Sequence, residues 1–146
     1  MIPGRARSKT FPVEFMKEHF EKDHQEAFHE EIKAEGAPDM GNGRYSQKLS
    51  YKAWYEFNSA QRAHYNFVEW IASTLLLITV SGIYFPIPAA ALGLAIFIGR
   101  IIYSLGYVMG GPRGRSIGAS INDIAFLGVF VLSFISSVYF IIGKDV

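Results

Sequence analysis

Residues 67–85 read FVEWIASTLLLITVSGIYF, and this stretch decides the class of the chain. A bilayer's hydrocarbon core, roughly 30 Å thick, is crossed by about 20 mostly apolar helical residues. Here only Glu69, near the edge of the run, is ionisable. Pro86 and Pro88 follow at once and leave room only for a tight turn. A second apolar run, 88–109, is interrupted by Arg100 and closed by Gly110-Gly111-Pro112. A third, 118–143, is interrupted by Asn122 and Asp123. Three such runs in succession predict an all-α membrane protein, an antiparallel bundle with spans at about 62–85, 88–109 and 118–142. A buried helical hairpin in a soluble protein is the weaker reading.

Outward from the spans the composition changes sharply. After Asn66 the only charged residues are Arg100, Arg113, Arg115 and Lys144 against Glu69, Asp123 and Asp145. Residues 1–66 therefore hold the bulk of the 14 Lys/Arg and 13 Asp/Glu. The domain reading is a charged, water-facing segment, 1–60, followed by the transmembrane bundle, 61–146. A net charge of +1 argues against nucleic acid as a partner, which would need a strong basic excess. The absence of cysteine excludes disulfides, thiolate metal sites and a cysteine nucleophile, so thiol chemistry would have to come from a substrate. Arg5, Arg7 and Lys9 precede no apolar core, so the start of the chain does not read as a secretory signal.

In the water-facing segment, Thr10-Phe11-Pro12 predicts a helix start, with Thr10 as cap and Pro12 in the first turn. Val13, Met16, Phe20, Ala27, Phe28 and Ile32 recur at helical spacing, predicting an amphipathic helix over 12–34 that lies on the membrane or on the protein itself. GAPDMGNG, residues 36–43, reads as a loop, and 49–65 restarts as helix and runs into the first span. His19, His24 and His29 invite a metal reading. Their spacing puts successive rings about 140° apart on a helix, so they share no face. Solvated histidines are the better account, and no metal site is expected.

Connectivity puts the N-terminal segment and the loop around 110–116 on one side of the membrane, and the 85–88 turn and the C-terminus on the other. Arg62, Arg113 and Arg115 lie near the spans on the first side and only Lys144 on the second, so the first side is the cytosolic one or its equivalent. Tyr51, Trp54, Tyr55 and Trp70 on that side read as interfacial anchors. Small residues at Ala89, Ala90, Ala91, Gly93 and Gly99 would let the second helix pack closely on its neighbours.

Ionisable residues in a span are functional candidates. Arg62, Asn66 and Glu69 stand at i, i+4 and i+7, and Arg100, Tyr103 and Tyr107 at i, i+3 and i+7, so each set shares a helix face. Both faces fall at a similar depth, below Arg113 and Arg115 in the loop. One reading is a buried Arg–Glu pair that fixes helix register. The other is a pocket for a small anionic or zwitterionic ligand, with arginines for carboxylates, a carboxylate for an amine and tyrosines for hydrogen bonds. Asn122 and Asp123 either complete that pocket or sit at the interface.

These residues carry a resemblance. QRAHYNFVE at 61–69, GRIIYSLGYVMGGPRGRSIGA at 99–119, PDMGNGRYS at 38–46 and Phe57-Asn58 resemble the membrane-associated proteins in eicosanoid and glutathione metabolism, the MAPEG family, and within it the type-three microsomal glutathione transferases. The resemblance implies a four-helix membrane bundle, usually a homotrimer, with glutathione as co-substrate bound between subunits. It implies that Arg62, Asn66 and Glu69 take glutathione's charged ends, that His64, Arg100, Tyr103 and Tyr107 line the site, and that Arg115, or Arg113 in its place, acts on the thiol in catalysis. The implied activity is that of a glutathione transferase or peroxidase acting on lipophilic small molecules, in the endoplasmic reticulum or mitochondrial membrane. The family also contains lipid binders without activity. A non-catalytic subunit of a larger membrane complex is therefore the alternative. Two departures stand out: Trp70 replaces a common tyrosine, and the family's first span is expected to be missing, with Arg5-Ala6-Arg7 resembling its basic end.

Overall fold

The computed structural model describes residues 2–33 and 36–143, and all regular structure among them is helical. Five helices run in order: α1 (Ile2–Thr10), α2 (Val13–Phe28), α3 (Tyr51–Tyr84), α4 (Pro86–Gly114) and α5 (Ser116–Ile141), with a single 3₁₀ turn at Ser46–Lys48. The chain divides into two compact units, Met1–His64 and Tyr65–Val146, and α3 contributes to both.

The first unit is held by an aromatic core. Phe11, Met16, Phe20, Ile32 and Phe57 are buried together, with Phe15, Tyr45 and Leu49 against them. The rings of Phe11 and Phe57 meet edge to face at 5.1 Å, an arrangement aromatic quadrupoles favour. The guanidinium of Arg7 stacks 5.3 Å from the Phe57 ring and donates to the Gly36 carbonyl at 3.2 Å. Of the apolar stripe of α2, Met16 and Phe20 are covered by protein, whereas Val13, Ala27 and Phe28 are exposed. Thr10 ends α1 rather than capping α2, whose N-cap is Pro12 without a side-chain hydrogen bond. The helix expected over 12–34 stops at Phe28, because His29 turns left-handed (φ 57°) and donates its backbone N–H to Gln25. Ile32 still reaches the core, but from a segment without regular structure; Ala34 lies outside the described residues.

The loop that follows is organised by one carboxylate. Asp39 accepts backbone N–H bonds from Gly41 (2.8 Å), Gly43 (3.0 Å) and Ser46 (2.7 Å), and the Ser46 hydroxyl donates at 2.8 Å. Gly41 sits at φ 104°, a conformation that favours glycine. Its carbonyl receives the Trp54 indole N–H and the Asn58 amide, which ties the loop to α3. Burial pushes the Asp39 carboxyl up, but the hydrogen bonds from Ser46, Gly41 and Gly43 outweigh it and hold the group below its ordinary value.

In the second unit three helices are long and apolar enough to cross a membrane, and the chain is an integral membrane protein. The helix α3 runs unbroken from Tyr51 into its span, α4 starts at Pro86 with proline at its first turn, and α5 starts at Ser116. Neighbouring helices run antiparallel. At one end Tyr139 of α5 packs on Tyr84 of α3 and on Phe85 in the turn; at the other, Gly114 and Arg115 turn α4 into α5. Ile96, Ala125 and Val129 form the core with Leu77, Ile78, Leu92 and Ala95 around it. One face of α5 carries its buried residues, since Asn122, Ala125, Val129, Ser133 and Ser136 recur at helical spacing. Large apolar side chains, among them Leu75, Leu76, Leu94, Phe97, Leu127 and Phe134, cover much of the remaining exposed surface of the spans, as lipid requires.

The backbones of α4 and α5 approach closely: a Cβ on Gly118 would fall 2.2 Å from the Tyr103 backbone nitrogen. Within α4, across its bend, a Cβ on Gly106 would fall 2.2 Å from the Gly114 carbonyl oxygen. Gly99 fits the expected role of a small packing residue, as does buried Ala89, whereas Ala90 and Ala91 are exposed. Near its end α4 is broken at Gly111 (φ 63°, ψ −152°), so the helix continues through Pro112 in a new direction.

Candidate functional site

The site lies within the second unit, at the end where α4 turns into α5. Arg100 and Tyr103 project from the same face of α4. Arg100 donates to the side-chain oxygen of Asn66 on α3 and stands 5.8 Å from the Tyr103 ring. Arg115, just past the Gly111 break, folds back over the same tyrosines. It donates to the Tyr103 hydroxyl at 2.9 Å and lies 5.4 Å from the Tyr107 ring. The two tyrosine rings are 5.8 Å apart and almost fully buried. The hydrogen bond to Tyr103 shifts the Arg115 guanidinium further up, so this group is a cation at any physiological pH.

These groups border an open cavity of about 440 Å³ between the three helices. Asn66 and Trp70 line it from α3, Arg100 and Tyr103 from α4, Arg115 from the turn, and Ser116, Ser120 and Asp123 from α5. Its electrostatic character is therefore two guanidiniums and one carboxylate in an otherwise apolar bundle. Such a cavity can hold a small molecule with more than one anionic group, gripped by charge-assisted hydrogen bonds.

Of the residues singled out from sequence, the structure brings Asn66, Arg100, Tyr103 and Arg115 together around the cavity. Tyr107 touches Arg115 from behind. Asn122 and Asp123 both border the cavity, but the Asn122 amide N–H is spent on the Gly118 carbonyl, and its oxygen packs beside Gly99. Arg113 is exposed, and its carbonyl accepts from the Ser116 hydroxyl, so Arg115 is the loop arginine that reaches the tyrosines.

Arg100 donates to Asn66, and no Arg100–Glu69 salt bridge forms among the described residues. Glu69 is exposed and does not line the cavity. The cause is helical phase: from Asn66, Glu69 lies about 60° to one side and Trp70 about 40° to the other. The cavity opens on the Trp70 side. Trp70 was legible in the sequence only as an interfacial aromatic; its ring packs edge-on against Phe126 at 4.8 Å. Arg62 and His64 belong to the first unit and are exposed there. His19, His24 and His29 stand apart, with His19 against Phe15 and His24 against Phe28.

An all-helical bundle of apolar spans, with two arginines and two tyrosines gathered at one end, defines an integral membrane protein. The MAPEG family model matches residues 20–135, and the chain belongs to that family. It is accordingly a membrane protein of the glutathione and eicosanoid metabolism group. No solved structure matches the chain.

Proposed function

We propose that the cavity binds glutathione and that the protein uses it as a transferase or peroxidase on lipophilic electrophiles or lipid hydroperoxides, in the manner of a type-three microsomal glutathione transferase of the endoplasmic reticulum or mitochondrial membrane. The observation that carries this reading is the placement of Arg115, a permanent cation held by Tyr103, at the wall of a cavity that also contains Arg100. A free thiol has a pKa of about 8.5, and an adjacent guanidinium lowers it, so more thiolate is present at neutral pH. Arg115 is the residue proposed to act on the thiol, with exposed Arg113 its less suited neighbour. Asn66, Arg100, Tyr103 and Tyr107 would hold the tripeptide, with Arg62, His64 and Glu69 carried over from the family resemblance.

In conjugation the thiolate sulfur attacks an electrophilic carbon; the C–S bond forms and the leaving group departs with its electron pair. In hydroperoxide reduction the sulfur attacks the O–O bond, the alkoxide takes a proton to become an alcohol, and a second glutathione closes the disulfide with loss of water. The apolar partner would arrive through the lipid, since the cavity opens among lipid-facing helices.

The competing reading is a non-catalytic, lipid-binding component or subunit of a larger complex. The span of α3 is almost unburied within the chain, which leaves it free to pack on another protein as well as on lipid. A homotrimer would cover it as well. Calorimetry with glutathione, followed by turnover of a model electrophile and a lipid hydroperoxide, separates these. Saturable binding with turnover is expected; binding without turnover supports the subunit reading, and no binding sinks the glutathione reading.

A further inference from the structure

The cavity contains a charged group to which neither the family resemblance nor the fold assigns a task. Asp123 lines it from α5, exposed, and among the described residues it makes no hydrogen bond or salt bridge. It stands seven residues into α5, about 10 Å from the start of that helix. The level is that of Arg100: a Cβ on Gly99 would meet Ile121 at 2.9 Å and Asn122 at 3.1 Å, so residues 99–100 and 121–123 face each other across the α4–α5 contact. Arg100 spends a donor on the neutral Asn66, and no salt bridge joins it to Asp123 among the described residues. A carboxylate in a span, bordering a cavity and lacking a bonded partner, calls for a cationic group to meet it.

We propose that Asp123 is the receptor for the ligand's ammonium group, and that it makes the cavity selective for a substrate carrying two carboxylates and one free α-amino group. This rests on the glutathione reading and goes beyond it, since that reading gives the amine to Glu69. The charges of the cavity are complementary to such a molecule group by group: Arg100 and Arg115 for the carboxylates or thiolate, Asp123 for the ammonium. Glu69 lies off the cavity wall and lacks that access. A lone counter-ion to Arg100 would instead stabilise the site for every ligand alike.

The experiment compares glutathione with its desamino analogue, in which hydrogen replaces the γ-glutamyl amino group, by calorimetry on the full-length protein in detergent or nanodiscs. The unmodified protein should bind glutathione about ten- to a hundredfold more tightly than the analogue, the range expected for a hydrogen-bonded charge pair. Asp123→Asn should bring the two affinities within about threefold while leaving the analogue's affinity intact, which also shows that the variant is folded. Asp123→Glu should restore part of the preference. Equal weakening of both ligands in Asp123→Asn would reduce Asp123 to a counter-ion and overturn the proposal. So would an unchanged preference in Asp123→Asn, or its loss in Glu69→Gln. If the unmodified protein binds neither ligand, the glutathione reading itself fails and this proposal with it.

Discussion

The Arg115 guanidinium donates to the Tyr103 hydroxyl at 2.9 Å although the two residues lie on opposite sides of a helix break. The left-handed Gly111 redirects the end of α4, and the near-contact of Gly106 with Gly114 lays the turn back against the helix it leaves. A cation is thereby fixed at the cavity wall by a buried tyrosine instead of extending into water.

If Arg115 acts on a bound thiol, Arg115→Ala should lower the conjugation rate at neutral pH by about tenfold or more, as expected when a thiol returns toward its free pKa. Glutathione affinity should fall much less. Arg62→Ala should do the reverse, raising the glutathione Kd with little change in kcat. Thiolate absorbance and steady-state kinetics on both purified variants decide it; equal small effects in the two would contradict the assignment.

The α4–α5 crossing should be intolerant of a single methyl group. Gly118→Ala places a Cβ 2.2 Å from backbone, which cannot rotate away, so the helices must separate, at a cost of about 1–3 kcal/mol. Gly82→Ala in α3 meets nothing within 4 Å and should be neutral or stabilising by up to about 1 kcal/mol through helix propensity. Unfolding midpoints in the same detergent, compared for the two variants, check the contrast.

Asp39 should give the first unit an acid-sensitive contribution to stability. Its carboxyl is held below its ordinary value in the folded chain, so its contribution is complete above the unfolded value of about 3.9 and disappears as pH falls through the folded value. Asp39→Ala should cost about 1–3 kcal/mol at neutral pH, because the Gly41 and Ser46 N–H groups lose their acceptor. The difference between variant and parent should shrink toward low pH. A difference independent of pH between 2 and 6 would count against the carboxylate's role.

Topology is directly testable because the chain has no cysteine of its own. Ile87→Cys and Arg113→Cys place single thiols at exposed positions on opposite ends of α4. An impermeant maleimide should label position 113 from the cytosolic side only and position 87 from the other side only. Labelling of both from one side would refute the arrangement.

The membrane class, the three spans and the shared face of Arg100 and Tyr103 were determined by the sequence itself. Span length and helical phase are local properties: 20 apolar residues, or a spacing of three, mean the same thing in any helix. Which residues of neighbouring helices meet is not local. Glu69 and Trp70 are adjacent in sequence, yet only Trp70 borders the cavity, because its position is set by the side on which α4 and α5 pack against α3. Asp123 read equally well as an interface residue until Gly99 and Gly118 brought the two backbones into contact at its level. The resemblance preferred Arg115 with Arg113 as a stand-in, and it is Arg115 that the chain after Gly111 carries to the tyrosines. The Asp39 loop and the early end of α2 were likewise beyond periodicity, since each depends on a hydrogen bond or dihedral that hydrophobic pattern does not encode. Hydrophobic pattern says where a helix lies and which face is apolar; the depth and angle at which two faces touch come from backbone approach at a few small residues, and the cavity is built at that contact.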